Sequence, residues 1–317
     1  MRKAMQEAVV GDDVYGEDPT INQLQALAAK VTGKEAALWV PSGTMGNLSA
    51  VLAHCGRGDE VIVGDESHVY HYEGGGMSAF GGVAFHVLPT RPNGEIPLEA
   101  LQAAVRPFEQ HSARTGCVCL ESSHNRCGGP VLDLGYMEAV HSWAEAQGLP
   151  IHLDGARVFN AATYLGVPVA AIAAQVTSMQ FCLSKGLGAP VGSMVVGPRA
   201  FIGKVHHLRK MLGGGLRQAG VVAAPGIISL TQISTTLAND HANARLLAEG
   251  LAKLPQIDLD LSLVHTNIVF FKLRPGSLPA ADFVNRLKAA GFLVSLMNGG
   301  VRAVTHYDVT PHAPCAS

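Results

Sequence analysis

Two stretches of sequence decide the fold of this chain: residues 150–157 read PIHLDGAR, and residues 176–186 read VTSMQFCLSKG. Each is a mostly apolar run of strand length that ends where a charged residue, Asp154 or Lys185, meets a glycine. Runs of this kind are typical of strands that are buried on both faces of a parallel sheet. Ligands bind beyond the carboxyl ends of such strands, so we expect Asp154 and Lys185 to lie at a binding site.

The same pattern repeats from about residue 20 to residue 200, where apolar runs alternate with segments of helical period. The predicted strands are 36–40, 60–63, 83–88, 117–121, 150–154, 176–183 and 192–196. The predicted helices are 22–31, 44–54, 97–106 and 136–147. This alternation predicts an α/β fold, with βαβ units around a mainly parallel sheet.

The character of the sequence changes after a run of three glycines at 213–215. A long Ala- and Leu-rich helix is predicted over 217–254, and a strand at 267–273 and a helix at 280–290 follow it. We therefore expect two domains, a large one over residues 1–230 and a smaller α+β domain over residues 231–317.

Composition argues against several classes of protein. The 317 residues include 23 Lys and Arg against 25 Asp and Glu, and only 15% are charged. A near-neutral chain without blocks of like charge is not expected to bind nucleic acid or an anionic membrane. The charged fraction is below the roughly 25% that is usual for soluble domains, which favours a homo-oligomer. We expect a cytoplasmic protein, because no signal-like or membrane-spanning apolar run is seen and the cysteines mostly lie in apolar runs.

Three features that follow predicted strands each have a plain structural explanation when taken alone. Residues 42–44 open a helix whose free N–H groups suit a phosphate, but a serine helix cap looks the same. Asp154 could cap a helix or pair with Arg157, and Lys185 could be a solvated surface lysine. Together they supply what pyridoxal 5′-phosphate requires: donors for its phosphate, a carboxylate for its ring nitrogen and a lysine for its aldehyde.

Longer blocks of sequence are more specific than these single features. The blocks are 11–20 (GDDVYGEDPT), 42–47 (SGTMGN), 68–75 (HVYHYEGG), 152–157 (HLDGAR), 183–193 (LSKGLGAPVGS), 210–218 (KMLGGGLRQ) and 301–309 (VRAVTHYDV). Together they resemble the low-specificity L-threonine aldolases, in the beta-eliminating lyase and threonine aldolase group of fold-type-I, aspartate aminotransferase-like enzymes. The resemblance covers nearly the whole chain. It implies a large α/β domain with a mainly parallel sheet, a smaller C-terminal α+β domain and pyridoxal 5′-phosphate as cofactor.

The resemblance also implies roles for the residues that would bind the cofactor. Lys185 corresponds to the lysine that forms a Schiff base with the aldehyde, and Asp154 to the partner of the pyridine nitrogen. His68 corresponds to the residue that stacks on the ring. Gly43 and Thr44 correspond to the phosphate-binding turn.

Further positions in the resemblance concern the substrate and a second subunit. Arg157, which is also expected to contact the cofactor, and Arg302 correspond to the pair that grips the carboxylate of a small amino-acid substrate. Planar guanidinium groups suit this task because their donors are parallel. Lys210 and Arg217 correspond to residues that approach the phosphate from a neighbouring subunit. The resemblance therefore implies a dimer or tetramer with shared active sites.

The implied reaction is reversible cleavage of the Cα–Cβ bond of L-threonine or L-allo-threonine, which gives glycine and an aldehyde. A base must take the proton of the β-hydroxyl group, and histidine titrates in the required range. His68 and His111 are the two candidates, although His68 could only stack and His111 could be an ordinary loop histidine. We predict no metal site, because no cluster has the spacing of metal ligands.

Two departures from the family pattern concern the ends of the sequence. A segment like Leu-Arg-Ser-Asp-Thr-Val-Thr, whose serine helps to hold the substrate carboxylate in the family, has no counterpart here. Residues 311–317 are too short and proline-rich for the family's closing helix. We therefore expect weaker substrate binding than in a relative with the segment. The alternatives are another fold-type-I lyase, catalysing β-elimination or hydroxymethyl transfer, and a catalytically impaired structural relative.

Overall fold

The computed structural model describes residues 1–107 and 109–310. The larger of its two sheets has seven strands. Its strands are β1 (Ala36–Val40), β2 (Glu60–Gly64), β3 (Ala84–Leu88), β4 (Thr115–Glu121), β5 (Ile151–Asp154), β6 (Ser178–Cys182) and β7 (Ser193–Gly197). Their order is β1-β7-β6-β5-β4-β2-β3, and β7 runs antiparallel to both of its neighbours. The prediction of a mainly parallel sheet is confirmed, and each predicted strand is present.

Thirteen α-helices of the described residues accompany the two sheets. They are α1 (Arg2–Gln6), α2 (Pro19–Thr32), α3 (Gly43–His54), α4 (His68–His71), α5 (Gly76–Gly81), α6 (Leu98–Ala104), α7 (Leu134–Ala146), α8 (Val158–Leu165), α9 (Val169–Ala174), α10 (Arg199–Met211), α11 (Gly220–Thr231), α12 (Leu237–Leu251) and α13 (Ala280–Ala289). The four helices predicted in the first half are confirmed, with shifted ends. The closing segment at 311–317 lies outside the described residues.

The prediction of one continuous helix over 217–254 is wrong. The segment is divided into α11 and α12 by a break at residues 232–236, which includes a short 3₁₀ turn. Four hydroxyl side chains donate to backbone carbonyls at this break, from Thr231, Ser234, Thr235 and Thr236, and such bonds weaken and bend a helix. In the described part of the chain no single helix is long and apolar enough to cross a bilayer. The pair Gly220–Thr235 and Leu237–Leu251 passes that test only jointly, with a bend of 58°.

The second sheet is antiparallel and has its own apolar core. Its strands are β8 (Ile257–Asp258), β9 (Ile268–Leu273), β10 (Ser295–Met297) and β11 (Gly300–Val304), in the order β10-β11-β9-β8. Its buried residues come from α12, β8, β9 and β11 and form a cluster separate from those of the large sheet. A domain boundary at residue 230 stays a prediction.

The block at residues 11–20, which contributes to the family resemblance, has a structural task. Asp18 caps α2 and also accepts hydrogen bonds from the backbone N–H groups of Gly11 (3.1 Å) and Gly220 (2.8 Å). Asp13 forms a buried ion pair of 2.8 Å with Arg209 of α10. Two carboxylates therefore fasten this segment to α10 and α11, close to the glycine run.

Candidate active site

The carboxyl ends of β1, β2, β5 and β6 meet at a cavity of about 300 Å³. This follows from the topology, because parallel strands end at the same edge of a sheet. The structure brings five of the predicted residues together in the cavity wall: Gly43, Thr44, His68, Asp154 and Lys185.

The turn between β1 and α3 is built to hold an anion. Ser42 caps α3 by accepting a hydrogen bond from the N–H of Met45 at 3.1 Å. The alternative of a serine helix cap is therefore correct for this residue. The N–H groups of Gly43 and Thr44, in the first helical turn, have no acceptor within the helix and lie in the cavity wall. A Cβ atom at position 43 would lie 3.0 Å from Cys182 Sγ. Glycine thus lets the helix start approach the sheet, and the turn can serve as both a cap and a phosphate cradle.

Asp154 is a buried carboxylate at the end of β5, with 3% of its surface exposed. It accepts hydrogen bonds from Asn47 Nδ2 (2.9 Å) and from the N–H of Ala156 (3.2 Å). Burial, followed by the charge of Glu121, raises the pKa of Asp154, while Lys185 and other neighbours oppose this. Asp154 forms no ion pair with an arginine of the described residues, and its partners there are the two N–H donors. A cationic N–H on a ligand would therefore stabilise the charged form of Asp154.

His68 begins α4 and is held through both its backbone and its ring. Its backbone N–H donates to Glu121 Oε2 at 2.7 Å, and its Nδ1 lies 3.0 Å from Glu73 Oε1. Because Asn47 Nδ2 also donates to that oxygen, Oε1 is an acceptor and Nδ1 carries the proton. Burial lowers the pKa of His68, but the bond to Glu73 and the charges of Asp154, Glu73 and Glu121 outweigh it and raise the pKa. Nε2 of His68 has no hydrogen-bond partner in the described part of the chain, so it can accept a proton.

A second cavity, of about 460 Å³, adjoins the first and shares His68 and Lys185 with it. Arg157 and Arg302 lie in its wall. Burial and the charge of Arg302 lower the pKa of Arg157, and burial lowers the pKa of Arg302. Across residues 1–107 and 109–310, neither guanidinium has a carboxylate within ion-pair distance, and Arg302 Nη1 donates to the Asn125 side chain. Two guanidinium groups that have no carboxylate of the described residues within ion-pair distance make this cavity suitable for an anion.

Lys185 lies at the mouth of both cavities. The residue is exposed, because residues 184 and 185 follow the end of β6. Its charge still lowers the pKa of Asp154, so the two groups are close enough to interact.

The structure does not bring His111 into the cavity within this chain. Its side chain is 73% exposed, and its Nδ1 lies 3.2 Å from Glu109 Oε2. The reason is topological, because His111 precedes β4 and therefore lies near the amino end of that strand, opposite the edge that holds the site. The catalytic role of His111 stays a prediction.

Lys210 and Arg217 also lie outside both cavities of this chain. Both are exposed, and Arg217 pairs with Asp12 at 2.7 Å. The glycine run between them packs against α3 behind the phosphate-binding turn, since a Cβ atom on Gly214 would overlap Met45 Sδ. Their predicted action on a neighbouring subunit is untested.

Four residues that form hydrogen bonds with the predicted site residues were not among those predicted from the sequence: Asn47, Glu73, Glu121 and Asn125. Glu121 had a recognisable signal, because it ends β4 as Asp154 ends β5, and the two are paired in register. It accepts hydrogen bonds from the N–H groups of His68 and Asn125. Asn47 and Glu73 lie within two of the quoted blocks, but nothing local distinguishes them from surface polar residues.

His68, Glu73 and Asp154 present atoms that lie within 4.8 Å of one another and could bind a cation. The sequence predicted no metal site, and separations of five and 81 residues could not have revealed this cluster. The same atoms, however, already take part in hydrogen bonds with Asn47 and with each other.

Comparisons with known proteins show which family this chain belongs to. Residues 1–274 match the model of a family described as Beta-eliminating lyase. Low-specificity L-threonine aldolase 1 of Arabidopsis thaliana is 45% identical over 315 residues, covering 98% of this chain and 88% of that protein. The Escherichia coli K12 low specificity L-threonine aldolase is 41% identical over 310 residues, covering 98% and 90%. A solved structure of a Leishmania major threonine aldolase has the same fold, with a TM-score of 0.78, 19% identity and coverage of 98% and 89%.

Proposed function

The chain belongs to the Beta-eliminating lyase family and, within it, to the low-specificity L-threonine aldolases, and from this premise we propose that it cleaves L-threonine and L-allo-threonine to glycine and an aldehyde. The prediction of a fold-type-I architecture is confirmed. One observation carries the proposal: Asp154, His68 and Lys185 line one cavity, and the unpaired Arg157 and Arg302 line the cavity that adjoins it.

The residues present fit pyridoxal 5′-phosphate as the cofactor. The N–H groups of Gly43 and Thr44 would hold its phosphate, and Asp154 would face its protonated ring nitrogen. A buried carboxylate whose pKa is raised gains most from such a cationic partner. When bound, the cofactor supplies an aldehyde for the Lys185 amine and a ring that accepts the electrons released at the substrate Cα.

Arg157 and Arg302 orient the substrate. Two guanidinium groups in one wall can hold a carboxylate through parallel N–H donors, which fixes the direction of the Cα–Cβ bond in the cavity. Arg302 Nη1 donates a hydrogen bond to Asn125 Oδ1, and the backbone N–H of Asn125 donates to Glu121 Oε1. These bonds link Arg302 to the end of β4.

His68 accepts the proton of the β-hydroxyl group at Nε2. Glu73 keeps the ring proton on Nδ1, and the raised pKa of His68 makes the ring a stronger base. Stacking on the cofactor and proton transfer are compatible roles for the same ring, so this proposal does not require His111.

The proposal extends to a homo-oligomer, a dimer or tetramer, in the cytoplasm. The exposed Lys210 and Arg217 on either side of the glycine run support a shared site, because both are available to a second subunit. The five cysteines in the described part of the chain are all free, which suits a reducing compartment. The molar mass of the protein in solution, measured with and without the cofactor, tests the oligomeric state, and the mass of a single chain in both conditions would contradict the proposal.

Product analysis tests the reaction. Protein supplied with cofactor and L-threonine should release acetaldehyde and glycine in equal amounts, without ammonia. Ammonia with a 2-oxo acid would instead assign a β-eliminating lyase, and tetrahydrofolate-dependent cleavage of L-serine would assign hydroxymethyl transfer. Absence of all products with bound cofactor would indicate the impaired structural relative.

Borohydride reduction tests the lysine independently of turnover. The reduced protein should carry the cofactor on the peptide that contains Lys185, and Lys185→Ala should remove the label. Lys253→Ala is the matched control, because it removes another exposed lysine that lines neither cavity and has no proposed role in binding. A label on a different lysine would refute the assignment.

A further inference from the structure

A line of hydrogen-bonded side chains lies between α3 and the sheet and ends on Asp154. His54 Nε2 lies 2.8 Å from Ser178 Oγ, and Ser178 Oγ lies 2.9 Å from His152 Nδ1. His152 Nε2 lies 3.1 Å from Asn47 Oδ1, and Asn47 Nδ2 lies 2.9 Å from Asp154 Oδ2. Ser178 and His152 are fully buried, and Asn47 is 1% exposed. We call His54, Ser178, His152 and Asn47 the α3 polar line.

We propose that the α3 polar line is a positioning device that holds the Asn47 amide with its N–H groups toward Asp154 and Glu73. The inference rests on the proposed function, because it explains how the carboxylate that faces the cofactor is held. None of the four residues needs to touch the substrate, so all four are positioning residues.

The direction of the bonds at Asn47 follows from its neighbours. Its Nδ2 lies 2.9 Å from Asp154 Oδ2 and 2.8 Å from Glu73 Oε1. Carboxylate oxygens accept, so the atom between them is the nitrogen, and its two hydrogens serve one carboxylate each. The amide oxygen then faces His152, whose Nε2 must carry a proton.

The two histidines continue the same direction. Burial, with a smaller contribution from the charge of His54, lowers the pKa of His152 to about 3, and burial followed by the charge of Lys204 lowers the pKa of His54 to about 4. A neutral imidazole has one N–H, so His152 Nδ1 must accept from the hydroxyl of Ser178. Ser178 Oγ in turn accepts from His54 Nε2–H. At neutral pH every donor therefore points toward Asp154.

Fold geometry explains why the line can form. Asn47 and His54 are seven residues apart on α3 and lie on one face of the helix, two turns from each other. His152 and Asp154 alternate along β5, so they share the same face of the sheet, and Ser178 pairs with His152 in register on β6. The helix and two strands thus contribute to one polar row in an otherwise apolar interface.

Reversal of the Asn47 amide would place its oxygen against two carboxylates and its N–H groups against the N–H of His152. The observed orientation instead donates to Asp154 and opposes the burial and the Glu121 charge that raise its pKa. It also donates to the Glu73 oxygen that accepts from His68. One amide therefore supports two groups in the cavity wall.

NMR of the histidine nitrogens tests the direction without a variant and without turnover. In ¹⁵N-histidine-labelled protein with cofactor bound, His152 should be neutral at pH 7.5 with its proton on Nε2, as judged by its ring-nitrogen shifts. A proton on Nδ1 would reverse the line and overturn the proposal.

Ser178→Ala removes the hydroxyl that His152 Nδ1 accepts from. The buried Nδ1 of His152 is then left without a donor and the ring without one of its two anchors, so we expect the Kd for pyridoxal 5′-phosphate to rise about tenfold, the order expected when a hydrogen bond supporting a charged group is lost. Ser193→Ala is the matched control, because Ser193 is a buried strand serine whose hydroxyl has no partner among the described residues. An unchanged Kd in Ser178→Ala, or equal effects in both variants, would refute the proposal.

The two proposals fail separately. A wild-type protein that does not cleave L-threonine but shows the expected His152 proton and Ser178→Ala effect refutes the function and supports the line. A protein that cleaves L-threonine with His152 protonated on Nδ1 refutes the line and supports the function.

Discussion

Replacement of Glu73 by Gln should shift the acid limb of the kcat/KM profile to lower pH. Glu73 Oε1 accepts from His68 Nδ1 at 3.0 Å, and the bond and charge of Glu73 contribute to the raised pKa of His68. A base is active when unprotonated, so activity is lost as the pH falls through that pKa. Removing the negative charge makes His68 easier to deprotonate, and the variant should therefore stay active at lower pH.

The size of the shift follows from the kind of hydrogen bond that is changed. A bond to a charged group is worth about 1.5–3 kcal/mol and a neutral one about 1 kcal/mol, and a difference of about 1.4 kcal/mol corresponds to one pKa unit. The His68 side chain is 26% exposed, so solvent screening is only partial. We expect a shift of about one pH unit, with a lower kcat at pH 8 because the weaker base transfers the proton less readily.

The assay measures acetaldehyde release from L-threonine between pH 5.5 and 9. Glu109→Gln is the matched control, because Glu109 pairs with the other candidate base, His111, in an exposed loop. A shift in Glu109→Gln with none in Glu73→Gln would assign the base to His111. An acid limb that stays in place in Glu73→Gln, or moves to higher pH, would refute the reasoning.

Four further outcomes are expected. Lys185→Ala should abolish turnover but leave the melting temperature within about 2 °C of the wild type, because the side chain is exposed. Arg302→Gln should raise the KM for L-threonine at least tenfold with a smaller change in kcat, since a charged contact worth about 1.5–3 kcal/mol is lost; equal KM values would contradict this. Asp13→Asn should lower the free energy of unfolding by about 3–5 kcal/mol, because it leaves Arg209 buried without its partner; denaturant titration measures this. Stability should fall as the pH drops from 6.5 toward 4, because His152 stays neutral when folded and binds a proton when unfolded; His152→Gln should flatten this slope in pH-dependent melting.

The sheet could be predicted because its signals are local. Apolar runs of strand length separated by helical segments identify buried strands, and the positions of Asp154 and Lys185 at strand ends place them at one edge. The break after α11 was missed because hydroxyl groups that compete with the helix are spread through an otherwise helical composition. Composition indicates that a helix is possible, whereas the competing hydrogen bonds decide where it ends.

The residues that support the site could not be predicted in the same way. Asn47 contacts Asp154 across 107 positions and His152 across 105, so its role exists only in the folded chain. His111 shows the opposite problem, because a side chain of suitable chemistry lies at the opposite end of the strands from the site. Residue type and spacing therefore identify candidate groups, but the hydrogen bonds between elements determine which of them share protons.

Hydrogen-bond directions decide between two uses of the cluster formed by His68, Glu73 and Asp154. Its ligand atoms are close enough to share a cation, but a cation bound at His68 Nδ1 would move the ring proton to Nε2. The ring would then present a donor to the cavity, and it could no longer accept the proton of a β-hydroxyl group. The amide of Asn47 instead donates to both carboxylates and leaves the proton on Nδ1. Metal binding and base catalysis are thus exclusive uses of His68, and the hydrogen bonds observed correspond to the base.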